Sequence, residues 1–462
     1  MIRFEHRRSR LAVAALAAVA LGVLAGCSSS SSSSSSTTTT PTTSTSTPST
    51  SASPTSTAVA TSACGTNPGV VATGTPIPLG AIVTDQSGTS FTDITNMAAA
   101  YFTCVNDNGG INGHPIKYYI ETEQSNATQI ASEAKQLVQT DHVVGIVGSS
   151  SIIECSVDSS YWKSLGYYVI AAGIAPECYA TPNYADVNMG PRYSSDGAVQ
   201  YALTLHPDKI VFDQSNVPGT TYIEDGPNAL AKAAGVPITD DTTNVPISDA
   251  DSVAINLVDQ AGKDGAVILN FTPPDALVIL QAAQKLNIEG NVKFWGCSTP
   301  CNTDFLAQSL GAKWDGKFFV NAELAPPDVE TTPAMNLYKA IYAQYGKAVS
   351  GGIGAFSEMG FTEAELGVDA LRSITSGVYT VATVNAAIKA LKNVDTGMLC
   401  QAWTYGDYST HIANNEDYTV TPDNGKMVIA PNGGCTLISA VDPNIASYRA
   451  QAGTAALDPT SS

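Results

Sequence analysis

Residues 78–121 read PLGAIVTDQSGTSFTDITNMAAAYFTCVNDNGGINGHPIKYYIE, and the hydrophobic period changes along them. Pro78 to Thr84 is a short apolar run with β-branched members, which reads as a strand. Phe91, Ile94, Ala98, Tyr101 and Val105 then recur at helical spacing. Asn108-Gly109-Gly110-Ile111-Asn112-Gly113 is a cluster of turn formers, and Ile116 to Glu121 returns to strand. A strand, a helix, a tight turn and a second strand make the repeating unit of a parallel sheet covered by helices.

The unit continues downstream. Ile130, Ala134, Leu137 and Val138 form one apolar helix face, Val143 to Val147 is a strand, and a helix is predicted to open at Ser149. That helix places Ile153, Val157, Tyr161 and Leu165 four apart, and Tyr168 to Ala172 follows as a strand. The alternation then restarts with a helix near Ser195 to Leu205, a strand at Lys209 to Asp213 and a helix at Thr220 to Ala234. Further strands are expected at Ala266 to Phe271, Val292 to Gly296 and Phe318 to Asn321. Two such series predict an α/β protein of two doubly wound, Rossmann-like lobes. The segment from Thr332 to Lys392 is mostly helical and is expected to return to the first lobe. Ligands of open α/β sheets sit beyond the carboxyl ends of the strands, so two lobes with those ends facing make a cleft.

The amino-terminal region has a different character. Arg3, Arg7, Arg8 and Arg10 precede an apolar run from Leu11 to Leu24, which reads as a secretory signal over residues 1–26; a membrane-spanning anchor is the alternative and wants about 20 apolar residues. Leu24-Ala25-Gly26-Cys27 resembles the lipobox of bacterial lipoproteins, and that resemblance implies cleavage before Cys27 and acylation of its thiol and new amino terminus. Residues 27–63 then form a Ser/Thr-rich tether with too few apolar side chains to offset the entropy of ordering. The formal charge is −19, and because the first 26 residues carry +3 the remainder carries −22. So acidic a surface repels nucleic acid and anionic lipid.

Nine cysteines leave eight once Cys27 is assigned to lipid. An even number in an exported chain points to disulfides, although eight cysteines permit on the order of a hundred pairings. Sequence proximity suggests Cys64 with Cys104, Cys155 with Cys178, Cys297 with Cys301, and Cys400 with Cys435. The alternative for Cys297 and Cys301 is a zinc site, but no second Cys or His pair has ligand spacing, so no metal is expected.

Gly80 to Ser151 resembles the periplasmic binding proteins of the leucine/isoleucine/valine type, the type I receptors of ABC importers. The residues that carry the resemblance are Ala81-Ile82-Val83-Thr84 with Gly88, the turn Asn106 to Gly113, and the junction Gly145-Ile146-Val147-Gly148-Ser149-Ser150-Ser151. Ile170 to Glu177 and Phe356 to Phe361 match more loosely. The resemblance implies two lobes joined by a three-crossing hinge. By element order, lobe one is 77–193 plus 323–393, lobe two is 194–322 plus 394–445, and 446–462 is a carboxy-terminal tail. It implies an extracytoplasmic, lipid-anchored protein on the outer face of a bacterial cell membrane. Such a protein takes an amino-acid-like, carboxylate or amide solute and hands it to ABC permease subunits. A ligand sensor of the same fold, signalling to a membrane receptor, is the alternative.

The same resemblance nominates binding residues. Ser149, at a strand-to-helix junction, would grip a ligand carboxylate with its hydroxyl and the helix amides; a plain helix cap is the structural alternative, and Ser150 shares the ambiguity. Ala172 stands where a backbone carbonyl receives the ligand ammonium. Ile174 stands where a Thr hydroxyl is usual, and Ser298 falls near the expected acid, so ordinary branched-chain amino acids fit poorly. Phe91 would cover the ligand or begin its helix's core face, Asn216 and Thr272 are loop candidates, and Glu323 is either a substitute acid or solvated. Among enzyme signatures, neither a Gly-x-Ser-x-Gly elbow nor a Walker A loop occurs. Ser132-x-x-Lys135 and Ser160-x-x-Lys163 lack the Lys-Thr-Gly that accompanies acylating serines, and no Gly-x-Gly-x-x-Gly follows a strand, so neither an enzyme nor a cofactor is expected.

Overall fold

The alternation is realised as two sheets. The computed structural model describes residues 64–454; the signal segment, Cys27, the rest of the 27–63 tether and residues 455–462 lie outside the described residues. The first lobe opens with β1 (Ile77–Gln86), β2 (Thr89–Ser90), α1 (Thr92–Asp107), β3 (Ile116–Glu123), α2 (Ala127–Gln139) and β4 (Gly145–Ser149). It continues with α3 (Glu154–Leu165), β5 (Val169–Ala171) and β6 (Tyr184–Asp186). The second lobe holds α4 (Gly190–Thr204), β7 (Ile210–Ser215), α5 (Asp225–Ala234), β8 (Ile238–Thr243), α6 (Ala250–Ala261) and β9 (Ala266–Asn270). There follow α7 (Pro273–Leu286), β10 (Phe294–Cys297), α8 (Asp304–Leu310) and β11 (Phe318–Ala322). The chain then returns through α9 (Pro333–Tyr345), α10 (Ala355–Arg372) and α11 (Val381–Lys389), and ends with β12 (Glu416–Asp423), β13 (Lys426–Ile429), β14 (Thr436–Leu437) and α12 (Pro443–Ala452).

In the first sheet β3, β1, β4, β5 and β6 run parallel in that order, with β2 turned back on the end of β1. The second orders β8, β7, β9, β10 and β11 in parallel and adds β12 and β13 antiparallel at one side. Both faces of each sheet are covered, as parallel sheets require. Leu79 and Val147 pack toward the layer of α1, α9, α10 and α11, whereas Ile82, Ile146 and Val169 pack toward α2 and α3. In the second lobe Val211, Val267 and Leu269 meet α6 and α7, and Phe212 and Ile268 meet α4 and α5.

The opening turn explains its own composition. Gly109 and Gly110 adopt φ of +103° and +62°, and a side chain on Gly110 would collide with the backbone of His114. All four nearest-neighbour cysteine pairs form: Cys64–Cys104, Cys155–Cys178, Cys297–Cys301 and Cys400–Cys435. Cys297 and Cys301 are therefore bonded to each other rather than left as metal ligands.

Three expectations need correction. The helix predicted from Ser149 starts at Glu154, because the side chain of Ser151 takes the amides of Ile153 and Glu154 and holds 149–153 as a loop. Residues 394–413, placed by element order in lobe two, instead pack Met398, Trp403 and Tyr405 into the first-lobe core. The expected tail is helix α12 as far as Ala452, with Ile445 and Tyr448 packed against the layer of α2 and α3.

The chain passes between the lobes near 187–189, 323–325 and 413–415. These passages are tied together. The Met189 amide donates to Glu323 Oε2 at 2.6 Å, and the Asn414 side-chain amide donates to the carbonyls of Val187 (3.0 Å) and Glu323 (2.9 Å). No helix among the described residues is long and apolar enough to cross a membrane.

Candidate functional site

The carboxyl ends of the first-lobe strands β1, β4 and β5 face those of β7 and β9 across a cavity. The lobes touch around it. The Tyr222 hydroxyl donates to the Ile174 carbonyl from the other lobe. At another edge Ala355 N–H donates to Asn302 at 3.0 Å, beside a bridge between Thr303 and Gly354. The cavity thus lies between two bodies joined by a tied hinge.

Its walls are mostly apolar. Phe91 packs edge-on against Phe356, with ring centroids 5.4 Å apart and planes at 89°. Ile94, Ile152, Phe271 and Met359 extend the apolar surface. Phe91 therefore lines the cavity from the loop just before α1, while the helix core begins at Ile94.

Ser149 does not face this space. Strand β4 is irregular between Val147 and Ser149, where Gly148 takes φ of +92° and the Tyr118 hydroxyl bonds the Val147 carbonyl at 2.8 Å. An extra residue in a strand shifts the alternation of side chains by one. The Ser149 hydroxyl accepts the Ile82 amide at 3.1 Å and bonds the buried Glu154 carboxyl, so both its capacities are used inside lobe one. Ser150 faces the cavity instead, 3% exposed, and its Oγ has no hydrogen-bond partner among the described residues.

The other expected residues divide similarly. Ala172, Ile174, Thr272 and Glu323 line the cavity. Asn216 is exposed and its side chain is bonded to Asn244, whereas its two neighbours Ser215 and Val217 line the wall. Ser298 is fully buried behind the wall, donating to Asn270 Oδ1 at 2.7 Å; Asn270 is the member of that pair at the cavity. Asn188, Thr220, Asn270, Phe271 and Asp275 were not anticipated, although each lies at or just beyond a strand end, where the strand-end rule places ligands.

Glu323 is the one acid at the hinge that also reaches the cavity. It is 2% exposed, and burial, reinforced by Asp417, pushes its carboxyl up to about 8 even though the Met189 amide favours the charged form. Asp275, at the start of α7, accepts the Thr272 hydroxyl at 2.9 Å and is also raised by burial. Among the described residues, no three His, Cys, Asp or Glu side chains group as metal ligands.

The model of a family described as periplasmic binding proteins matches residues 76–426. No curated protein matches the chain in sequence. Similar solved structures include a fatty acid ABC transporter substrate-binding protein from Thermomonospora curvata, at 18% identity and TM-score 0.67, covering 82% of this chain and 96% of that one. A branched chain amino acid ABC transporter protein from Thermus thermophilus with bound valine matches at 16% identity and TM-score 0.67, over 82% and 99%. A solute binding protein from R. palustris in complex with benzoate matches at 15% and TM-score 0.62, over 79% and 100%.

Proposed function

We propose, from the premise that this chain belongs to the periplasmic binding protein family, that it is the solute receptor of an ABC importer working outside the cytoplasmic membrane. The observation that carries this reading is the largely apolar cavity between two lobes, at the strand ends of both sheets and beside a hinge of tied crossings. A small organic solute with an apolar body fits such walls, and it gains contacts from both lobes only when they meet. Solute then shifts the population toward the closed form, which docks on the permease. The chain is held at the membrane by lipid on Cys27, with residues 28–63 as the tether; incorporation of labelled fatty acid that disappears in Cys27→Ser tests the anchor.

The solute is not leucine, isoleucine or valine. Ile174 offers no hydroxyl to a carboxylate, and Ser298 is turned away toward Asn270. A thermal-shift screen of the purified protein tests both points, because a ligand that binds only the folded state raises its stability by mass action. A receptor gives a concentration-dependent rise with some small solute, which is recovered chemically unchanged afterwards. Strong stabilisation by a branched-chain amino acid overturns the specificity, and consumption of the solute overturns the receptor reading.

A further inference from the structure

Several helices begin at the cavity: α1 and α10 carry Asp93 and Glu358 in their first turns, and α3, α4 and α7 spend or lack amides that could meet an anion. Free amides at a helix start are what grip a carboxylate or phosphate. Ahead of α3, Ile152 N–H is taken by Thr84 Oγ1 at 2.9 Å, and Ile153 and Glu154 N–H by Ser151 Oγ at 3.3 and 3.1 Å. Ahead of α4, the Met189 amide is spent on Glu323, and Pro191 has no N–H to offer. At α7 both first positions are proline, and Asp275 follows them as a built-in negative charge. No Lys, Arg or His is among the described residues that line the cavity, whereas two carboxyl groups, Glu323 and Asp275, are. The leftover polar group is the Ser150 hydroxyl, buried and unpartnered.

We propose that the solute is an apolar amine, with an ammonium head, an aliphatic or aromatic body and no carboxylate, and that Glu323 is its counter-ion. This rests on the receptor reading and names its substrate class. Glu323 keeps acceptor capacity beyond the one bond from Met189, since a carboxylate offers about four lone-pair sites. The titratable groups facing it are Asp417 from β12, Glu358 from α10 and Tyr179, none of them a cation, so the charge of an incoming ammonium is unopposed. Ser150 Oγ supplies a further acceptor. Because burial keeps the empty Glu323 largely protonated at neutral pH, ammonium binding expels a proton from it.

The test uses shape-matched pairs on the purified full chain: benzylamine against benzoate, hexylamine against hexanoate, with valine as the zwitterion. Titration calorimetry at pH 7 is expected to give each amine at least about tenfold tighter binding than its carboxylate twin, since Glu323 can ionise to pair with an ammonium whereas no cation among the described residues lines the cavity to pair with a buried carboxylate. The heat should also differ between buffers of different ionisation enthalpy, which reports the released proton. Glu323→Gln should abolish both the preference and the proton release; if that variant does not fold, the wild-type pairs and Asp275→Asn carry the comparison. Carboxylates binding as well as amines, or neither amine stabilising the protein, overturns the assignment. In either case stabilisation by another solute of the broader screen leaves the receptor reading standing, and stabilisation by none removes both.

Discussion

Ser149 and Ser150 are adjacent and chemically identical, yet the bulge at Gly148 gives them opposite roles, and a pair of alanine substitutions separates these. Ser149→Ala leaves the Ile82 amide, fully buried in β1, without its acceptor, and takes a donor from the Glu154 carboxyl. A buried donor stripped of its partner costs about 1–3 kcal/mol. Unfolding entropy of about 2.1 cal/mol/K per residue over roughly 390 residues is about 0.8 kcal/mol/K, so the melting temperature should fall by about 1–4 °C. Ser150→Ala instead removes a hydroxyl that is 3% exposed and unpartnered, so the empty protein keeps or slightly gains stability. Its affinity for solute should fall about five- to tenfold, the worth of one hydrogen bond of about 1–1.5 kcal/mol. Thermal unfolding without solute and calorimetry with the most stabilising solute measure the two effects separately. The reasoning is refuted if Ser149→Ala weakens binding at unchanged melting temperature, or if Ser150→Ala lowers the melting temperature and leaves affinity intact.

Two further outcomes follow from buried charge. Asp442 is fully buried and pairs with Arg192 Nε at 2.7 Å; Asp442→Asn keeps the cap on Asn444 but removes the one buried carboxylate in direct contact with Arg192 among the described residues, which should cost about 3 kcal/mol, or roughly 4 °C, in thermal unfolding. Burial pushes the carboxyls of Glu154 and Glu323 up to about 8 and that of Asp213 to about 7, so the unfolded chain releases these protons first as pH rises. Their contribution is fully present below the unfolded carboxylate range and is lost as pH climbs through 7 to 8, while buried His411, pushed down to about 4, opposes this with a single group below its ordinary value. The melting temperature at pH 5 should exceed that at pH 8, and a flat or rising profile refutes the burial of these acids.

Legibility followed the strength of local pattern. The βαβ units and all four disulfides were readable because parallel strands buried on both faces are continuous apolar runs and the cysteine partners lie near in sequence. Strand β8, ITDDTT, escaped because it is polar, lies at the sheet edge and alternates with solvent. The hairpin of β12 and β13 carried a signal in Asn424-Gly425, which supplies the positive φ that such turns need, but no helical alternation led to it. Residues 394–413 have almost no regular structure, so nothing local declares which core receives Trp403 and Tyr405. Of the residues nominated by resemblance and by strand ends, Phe91, Ala172, Ile174, Thr272 and Glu323 line the cavity. Ser149, Asn216 and Ser298 each missed the wall by a residue or a hydrogen bond, a precision that bulges and loops set and periodicity does not.

Recognition and motion meet at Glu323. Its backbone carbonyl holds Asn414 of the third crossing, its carboxyl holds Met189 of the first, and it opens the second. A solute that engages this carboxyl therefore acts on the group that ties all three strands of the hinge. A ligand can drive closure only to the extent that it binds the closed form better than the open one. That differential is built into the walls: Phe91 and Ser150 belong to one lobe and Asn270 and Phe271 to the other, so only apposition lets one solute touch all four. The lobes also touch directly, through Tyr222 on Ile174, Tyr193 packed against Tyr179 and the short pairing of 302–304 with 353–355. A solute that spans both walls adds to these contacts only when the lobes meet, which is what a receptor that signals occupancy by its shape requires.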